Sequence, residues 1–253
     1  MDPLDLIPFL DLTTLGTCDT PAVVEAVARR ALHPLASRPE LHCAALCTWP
    51  NFAADAARLL AGSPVKLACV AAAFPCSQAP LKIKQGEIEQ AVADGADEID
   101  IAIPRGLAIA GDFAALAAEL RALKAACGSA RLKVILETCD LKRPDLIRSI
   151  CQIALECGAD FLKTSTGMGS HGATPEHALI LFQAARDWHA TTGRTVGVKP
   201  AGGIRRHADA RIYHQLAIDH LPSVTPDTFR LGASSLLDDL LRPPGEEESP
   251  SGY

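Results

Sequence analysis

Seven short apolar segments recur along the chain, each separated from the next by a longer segment rich in alanine and leucine. The apolar segments are CAALC (43–47), KLACVAA (66–72), EIDIAI (98–103), LKVILE (132–137), DFLKT (160–164), TVGVK (195–199) and TFRLG (228–232). Continuous apolar strands that alternate with helices are typical of a parallel sheet covered by helices. The alternation therefore predicts an α/β protein.

The number of repeats narrows the fold further. An additional short strand at 6–11 brings the count to about eight, and the chain has 253 residues, 48% of them hydrophobic. A (β/α)₈ barrel, the TIM-barrel fold, has this number of repeats and a typical length of about 250 residues. The alternative is an open doubly wound sheet, but no G-x-G-x-x-G follows the early strands. We therefore predict a single (β/α)₈ barrel.

The helix starts and the end of the chain fit this organisation. Thr20 and Thr174 each precede a proline, the pattern of an N-cap residue followed by proline at the first helical position. The last dozen residues are rich in proline, serine, glycine and glutamate, and too few are apolar to fold alone. We predict a barrel domain over residues 1–241 and a flexible tail over 242–253 that ends in Tyr253.

Composition excludes several classes of function. The formal net charge is −6, which gives no basic surface for nucleic acid or for an acidic membrane, although a local site can still bind a small anion. Aspartates and prolines interrupt the apolar N-terminus, so we expect neither a signal peptide nor a transmembrane helix, and a cytoplasmic location. Nine cysteines without a CxxC pair, and histidines without paired spacing, predict no disulfide framework and no metal site.

Charged residues lie in or at the ends of four predicted strands: Asp100, Glu137, Lys163 and Lys199. In this fold the carboxyl ends of the strands form the active site, so these groups are expected to converge. A lysine that forms a Schiff base must be neutral, and a second ammonium nearby in a poorly solvated site lowers its pKa. The sequence leaves open which of the two lysines has the lowered pKa.

Proton transfer would need a carboxylate in the same cavity. Within EIDIAI, strand alternation makes Glu98 and Asp100 point the same way, with Ile99 and Ile101 opposite. We prefer Asp100 because it lies deeper in the strand, although alternation does not separate the two.

Glycine and hydroxyl residues follow the last three predicted strands, at 165–167, 201–205 and 232–235. Backbone N–H groups and hydroxyls in the last loops of this fold commonly bind phosphate. Three such segments after successive strands predict a phosphate-binding end of the site.

Five stretches together resemble one known family. FLKTSTG, VGVKPAGGIR, GADEIDIAI, LDLTTL and FRLGASSLL, in positions from about residue 9 to 241, together with the final tyrosine, are similar to deoxyribose-phosphate aldolases of the bacterial class I type. The resemblance implies reversible cleavage of 2-deoxy-D-ribose 5-phosphate to acetaldehyde and D-glyceraldehyde 3-phosphate through a lysine imine. It implies no metal and no organic cofactor.

The resemblance also implies roles for individual residues. Lys163 would form the Schiff base, Lys199 would perturb it and take part in proton transfer, Asp100 would act with a water, and Tyr253 would assist proton exchange. The residues that would bind substrate are Asp11, Thr13 and Cys47 at its hydroxyl end, and Gly167, Gly202, Gly203, Arg205, Gly232, Ser234 and Ser235 at its phosphate end. Sugar phosphate and small aldehydes would be the partners, and because similar enzymes are often dimers, the resemblance allows for a homodimer.

Two positions depart from the family pattern. STGM replaces the usual STGK, so that Met168 stands where a lysine contributes positive charge near the phosphate, and Cys76 follows the FP pair where glycine is common. The alternatives to the implied reaction are a Schiff-base aldolase of another sugar phosphate and a catalytically silent barrel that binds a sugar phosphate. A metal-dependent aldolase or isomerase is less favoured.

Overall fold

The computed structural model describes residues 1–243, in which eight parallel strands form the wall of a barrel. The strands are β1 (Leu10–Thr13), β2 (Ala45–Thr48), β3 (Lys66–Ala71), β4 (Glu98–Ala102), β5 (Arg131–Ile135), β6 (Phe161–Lys163), β7 (Gly197–Lys199) and β8 (Leu231–Ala233). They pair in chain order from β1 to β7, and β8 pairs with β1. The predicted (β/α)₈ barrel is confirmed.

Helices connect the strands and cover the outside of the barrel. They are α1 (Pro21–Leu32), α2 (Ala53–Leu60), α3 (Leu81–Ala93), α4 (Arg105–Ala110), α5 (Phe113–Ala126), α6 (Thr138–Leu141), α7 (Pro144–Glu156), α8 (Pro175–Thr192), α9 (His207–His220) and α10 (Leu236–Leu240). Thr20 and Thr174 cap α1 and α8 through their side chains, as the sequence predicts. The two short helices α4 and α6 were not predicted, since six and four residues are too few to show helical periodicity.

The barrel closes between β7 and β8, which are the least regular pair. Two isolated bridges join them, Val198 to Phe229 and Ala201 to Gly232. Val198 N–H donates to the Thr228 carbonyl at 3.0 Å and Arg230 N–H donates to the Val198 carbonyl at 3.1 Å. This closure brings the loops after β6, β7, β8 and β1 side by side.

The predicted first strand at 6–11 is wrong in its position. Residues Pro3–Phe9 form a 3₁₀-helix that Asp2 caps, and the strand starts only at Leu10. Leu6 and Ile7 are fully buried in this helix, so the apolar residues that suggested a strand pack into the core from a 3₁₀-helix instead. A short apolar run cannot by itself distinguish the two.

Two sequence predictions reach the limits of the described chain. Residues 244–253, including Tyr253, lie outside the described residues, so the tail and the domain boundary at 241 stay predictions. In the described part of the chain, no helix is long and apolar enough to cross a membrane.

Candidate active site

A cavity of about 460 Å³ lies at the carboxyl ends of the strands, between the loops that follow β6, β7, β8 and β1. Lys163 is the residue of β6 that reaches it, and the glycine-rich segments after β6, β7 and β8 surround its outer part. The cavity therefore joins one amine to a glycine-lined mouth, on the side of the barrel where the strands close.

Lys163 ends β6 and is almost completely buried, with a relative exposure of 3%. Its Nζ donates a hydrogen bond to Asp100 Oδ2 at 2.7 Å. Burial lowers the pKa of Lys163 and Lys199 lowers it further, against the opposing effect of Asp100. A larger fraction of this amine is therefore neutral near pH 7 than for a lysine in water.

Lys199 ends β7 and is fully buried beneath the cavity. Its Nζ lies 2.8 Å from Asp100 Oδ2 and 2.5 Å from Asp11 Oδ2. Burial alone would lower the pKa of Lys199, but Asp100 and Asp11 raise it above the ordinary value. The structure thus decides what the sequence left open: Lys163 has the lowered pKa, and Lys199 is the permanent ammonium.

Asp100 connects the two lysines and is the carboxylate that accepts a hydrogen bond from Lys163, the amine that lines the cavity. Its Oδ2 accepts from both Lys163 and Lys199, while its Oδ1 accepts from Lys133 at 2.9 Å. Burial would raise the pKa of Asp100, but the three lysines hold it well below the ordinary value. Glu98, its neighbour on the same face, instead pairs with Lys133 and Arg230, which resolves the ambiguity between the two carboxylates.

A deeper layer of charge, missed from the sequence, supports this group. Lys133 Nζ lies 2.5 Å from Glu98 Oε2, and Arg230 reaches Asp11 Oδ1 at 2.6 Å and Glu98 Oε1 at 2.9 Å. The signal was present in the sequence, since both residues interrupt otherwise apolar strand segments, and Lys133 is the register partner of Asp100.

Among residues 1–243, the interior cluster contains four basic and three acidic side chains, namely Lys133, Lys163, Lys199 and Arg230 with Asp11, Glu98 and Asp100. If all seven were ionised, one positive charge in this buried space would lack a counter-charge, which is energetically costly. A neutral Lys163 leaves the cluster balanced. Charge balance and burial therefore favour the same amine as the neutral one.

The aromatic ring of Phe161 lies beneath this charged group. Lys133 Nζ is 5.9 Å and the Arg230 guanidinium carbon 5.6 Å from the ring centroid, within the range of cation–π contact. Gly197 on the neighbouring strand leaves room for the ring, because a Cβ there would lie 2.2 Å from a ring carbon. Phe161 thus separates the charged cluster from the other end of the barrel.

The side of the barrel interior formed by β2 and β3 is apolar. Cys47 packs there with Ala45, Ala68 and Val70 of β2 and β3, and Phe74 lies against this cluster. Cys47 is fully buried, and burial raises the pKa of its thiol. Cys47 and Asp11 therefore lie in the barrel interior and do not line the cavity, whereas Thr13 does.

The glycine-rich segments are conformationally specialised. Gly167, Gly202 and Gly203 have φ values of 85°, 82° and 77°, a region that favours glycine. Gly232 has another reason to be glycine, since a Cβ would lie 2.8 Å from Ala201 Cβ and 3.0 Å from Lys199 Cε. These four residues line the cavity, as do Arg205, Ser234 and Ser235.

This end of the cavity offers hydrogen-bond donors that have no acceptor in the described part of the chain. Within residues 1–243, the backbone N–H groups of Gly167, Gly203, Ser234 and Ser235 have no hydrogen-bond acceptor, and Arg205 has no ion pair. Met168, 44% exposed, lines the same end, where a lysine would add a charge. Free N–H groups together with one guanidinium suit an anionic group.

Other features of the sequence have no place in the cavity. Glu137, which we expected at the strand mouth, is buried beneath the loop after β6 and does not line the cavity. Cys76 is exposed in the loop after β3, which contains a cis Phe74–Pro75 bond. Among residues 1–243, no group of three or more histidine, cysteine, aspartate or glutamate side chains is arranged to hold a metal ion.

Fold and cavity define a class: a (β/α)₈-barrel enzyme whose active site presents one lysine amine. A family model described as DeoC/LacD family aldolase matches residues 7–237, and the chain belongs to this family. It is accordingly an aldolase, a lyase, and the resemblance noted from the sequence is confirmed.

Individual relatives agree with the family match. The chain is 44% identical over 241 residues to a putative deoxyribose-phosphate aldolase of Caenorhabditis elegans, covering 94% of this chain and 80% of that one. It is 39% identical over 252 residues to the human deoxyribose-phosphate aldolase, covering 94% and 79%. A solved structure of a putative deoxyribose-phosphate aldolase from Toxoplasma gondii ME49 superposes with a TM-score of 0.82 at 26% identity, covering 94% and 92%.

Proposed function

We propose that the protein cleaves 2-deoxy-D-ribose 5-phosphate reversibly to acetaldehyde and D-glyceraldehyde 3-phosphate, with Lys163 as the Schiff-base nucleophile. The observation that carries the proposal is that Lys163 is the amine that lines the cavity and that its pKa is lowered. The curated relatives named deoxyribose-phosphate aldolase support the choice of substrate. Class I enzymes of this family use the lysine imine and no external cofactor.

Imine formation would begin with attack of the neutral Lys163 Nζ on C1 of the open-chain sugar. The carbinolamine that results loses its hydroxyl group as water to give a protonated imine, which withdraws electrons from the C2–C3 bond. Asp100 lies 2.7 Å from Nζ and remains ionised, so it can stabilise the positive charge that develops on nitrogen.

Cleavage then removes the proton of the C3 hydroxyl and breaks the C2–C3 bond. The electrons of this bond form the enamine of acetaldehyde on Lys163, and C3 leaves as the aldehyde carbon of glyceraldehyde 3-phosphate. Protonation of the enamine at C2 and hydrolysis release acetaldehyde and restore the amine. Asp100 accepts a hydrogen bond from the Lys163 amine, and Lys199 donates to the same carboxylate oxygen. We propose that Asp100 and Lys199 move these protons together with a water.

The phosphate would bind at the glycine-rich end of the cavity. The N–H groups of Gly167, Gly203, Ser234 and Ser235, the hydroxyls of the two serines and the guanidinium of Arg205 are the proposed donors. Gly202 and Gly232 line the same end of the cavity and are proposed to border the phosphate. Thr13 of β1 lines the same cavity and is proposed to meet a substrate hydroxyl, and Asp11 would act from below through Lys199.

Three further assignments rest on the resemblance. Tyr253 is proposed to assist proton exchange, and Tyr253→Phe should slow exchange at C2 of acetaldehyde more than it slows imine formation. Cys47 is proposed to border the reacting carbons from the apolar side. A homodimer stays a prediction, which light scattering after gel filtration would check.

The test is reductive trapping. Sodium borohydride with acetaldehyde should add a stable ethyl group to Lys163, located by mass spectrometry of peptides, and none should form without acetaldehyde. Lys84 is a useful internal comparison, because it is also buried, at 2% exposure, but pairs with Glu119 away from the cavity. An adduct at Lys84 and none at Lys163 in the folded protein would overturn the mechanism, and product analysis with deoxyribose 5-phosphate would identify the substrate.

A further inference from the structure

Glu137 is a fully buried carboxylate that lies outside the cavity lining. It follows β5 by two residues and precedes α6, in a left-handed conformation with φ 53° and ψ 65°. Residues other than glycine rarely adopt this conformation, and when they do, the surrounding structure has to enforce it. The contacts of the Glu137 side chain indicate why this residue is kept in the left-handed conformation.

The carboxylate of Glu137 contacts the β6 loop, residues 164–169. Its Oε2 accepts a hydrogen bond from Thr166 N–H at 3.2 Å and another from the Thr166 hydroxyl. The same hydroxyl accepts from Met168 N–H at 3.0 Å. A Cβ at Gly169 would lie 2.7 Å from Cys139 Sγ and 3.2 Å from Glu137 Oε1, so the backbone of the loop passes close to both side chains. One buried acid therefore contacts the loop before Gly167 directly and the backbone after it through Thr166.

Arg105, at the start of α4, connects Glu137 to two other segments. Its Nη1 lies 3.6 Å from Glu137 Oε2 and 2.9 Å from Asp140 Oδ2, and its Nη2 donates to the Pro75 carbonyl at 3.3 Å. The Arg105 side chain is only 20% exposed. Since a guanidinium keeps its charge at all accessible pH values, Arg105 places a permanent positive charge beside the carboxyl group of Glu137.

We propose that Glu137 and Arg105 are positioning residues that hold the β6 loop so that Gly167 N–H faces the phosphate group of the substrate. The proposal rests on the proposed function, since it concerns the phosphate end of that site. Neither residue lines the cavity, so their effect passes through Thr166. Lys163 lies on the strand itself, where the backbone ladder to β5 and β7 holds it independently of the loop side chains.

This separation makes the role measurable. Glu137→Gln keeps the size of the side chain and one oxygen for Thr166, but it places an amide N–H₂ group toward donors and removes the charge beside Arg105. The ratio of kcat/KM for deoxyribose 5-phosphate over that for unphosphorylated deoxyribose should fall about tenfold, mainly through KM, because a slightly displaced loop weakens phosphate binding. Trapping of acetaldehyde on Lys163 by borohydride should proceed at the rate of the parent protein.

Arg105→Lys is the second variant, in case the first does not fold. It retains a positive charge but loses the fork that spans Glu137, Asp140 and the Pro75 carbonyl, so the same ratio should fall about threefold. The matched control is Asp145→Asn, which removes an exposed ion pair with Arg143 on the adjoining segment. It should leave the ratio within about twofold of the parent.

The outcomes separate the two proposals. An unchanged substrate ratio in folded Glu137→Gln or Arg105→Lys, or an equal loss with both substrates, overturns the positioning role. A selective loss with normal trapping supports it. Failure of the parent protein to trap acetaldehyde on Lys163 would overturn the proposed function itself.

Discussion

The charge of Lys199 adds to burial in lowering the pKa of Lys163, and Lys199→Met tests this contribution directly. Both amines touch Asp100 Oδ2, at 2.7 and 2.8 Å, so they lie at most about 5.5 Å apart. With an effective dielectric constant of about 20, two positive charges at that distance repel by about 3 kcal/mol, or about two pKa units. The variant should therefore raise the pKa of Lys163 by about one to two units, where two units correspond to loss of the whole repulsion.

The same variant also changes the charge balance of the cluster. Without Lys199, an ionised Lys163 joins Lys133 and Arg230 to give three cations opposite three carboxylates, so the protonated amine becomes the balanced state. Imine formation at pH 7 should then slow by about 10- to 100-fold, because each pKa unit reduces the neutral fraction tenfold. The rate should recover as the pH is raised.

The assay is the rate of acetaldehyde trapping with cyanoborohydride as a function of pH, followed by mass spectrometry of the intact protein. The alkaline shift of the profile reports the pKa, whereas a uniform loss at every pH would indicate a lost proton donor. Lys199→Arg, which keeps the charge, is the control and should keep the midpoint of the parent. An unshifted midpoint in Lys199→Met, or an equal shift in both variants, would refute the reasoning.

Three further predictions concern the cluster, the cavity and the barrel interior. Asp11→Asn leaves buried cations without a counter-charge and should lower the free energy of unfolding by about 3–5 kcal/mol in urea titrations at pH 7. The folded state holds the pKa of Asp11 below its ordinary value, so the contribution of Asp11 to stability is present above about pH 4 and is lost on acidification. The variant should therefore lose less stability than the parent between about pH 5 and 2. Met168→Lys should raise the ratio of kcat/KM for deoxyribose 5-phosphate over deoxyribose severalfold, which corresponds to a gain of about 1 kcal/mol in phosphate binding, and Met168→Gln should leave the ratio unchanged. An unchanged ratio in Met168→Lys would show that a positive charge at this position does not favour the phosphate. Gly197→Ala forces a methyl group against the Phe161 ring and should lower the free energy of unfolding by about 1–3 kcal/mol. Gly86→Ala, in open space on α3, should raise it by about 0.5–1 kcal/mol, and changes in melting temperature of the same sign for both variants would contradict this.

The sequence alone determined the architecture and the chemical type of the site. Alternation of apolar strands and helices is a local property of the chain, and it predicted all eight repeats even where the limits of a strand were displaced, as at residues 6–11. Lys163 and the glycine segments after β6, β7 and β8 could be recognised because each lies at a strand end, and this fold brings the strand ends together.

Only the tertiary structure decided how the charges divide among the residues. The pKa of Lys163 depends on groups far away in sequence, such as Asp100 and Lys199, and Arg230 reaches Asp11 across 219 positions. Glu137 illustrates the same limit, since its position in the sequence indicated the strand mouth, but its left-handed backbone turns it beneath the β6 loop. Alternation fixes which side of a strand a residue faces, whereas protonation depends on distances and burial that exist only once the barrel has closed.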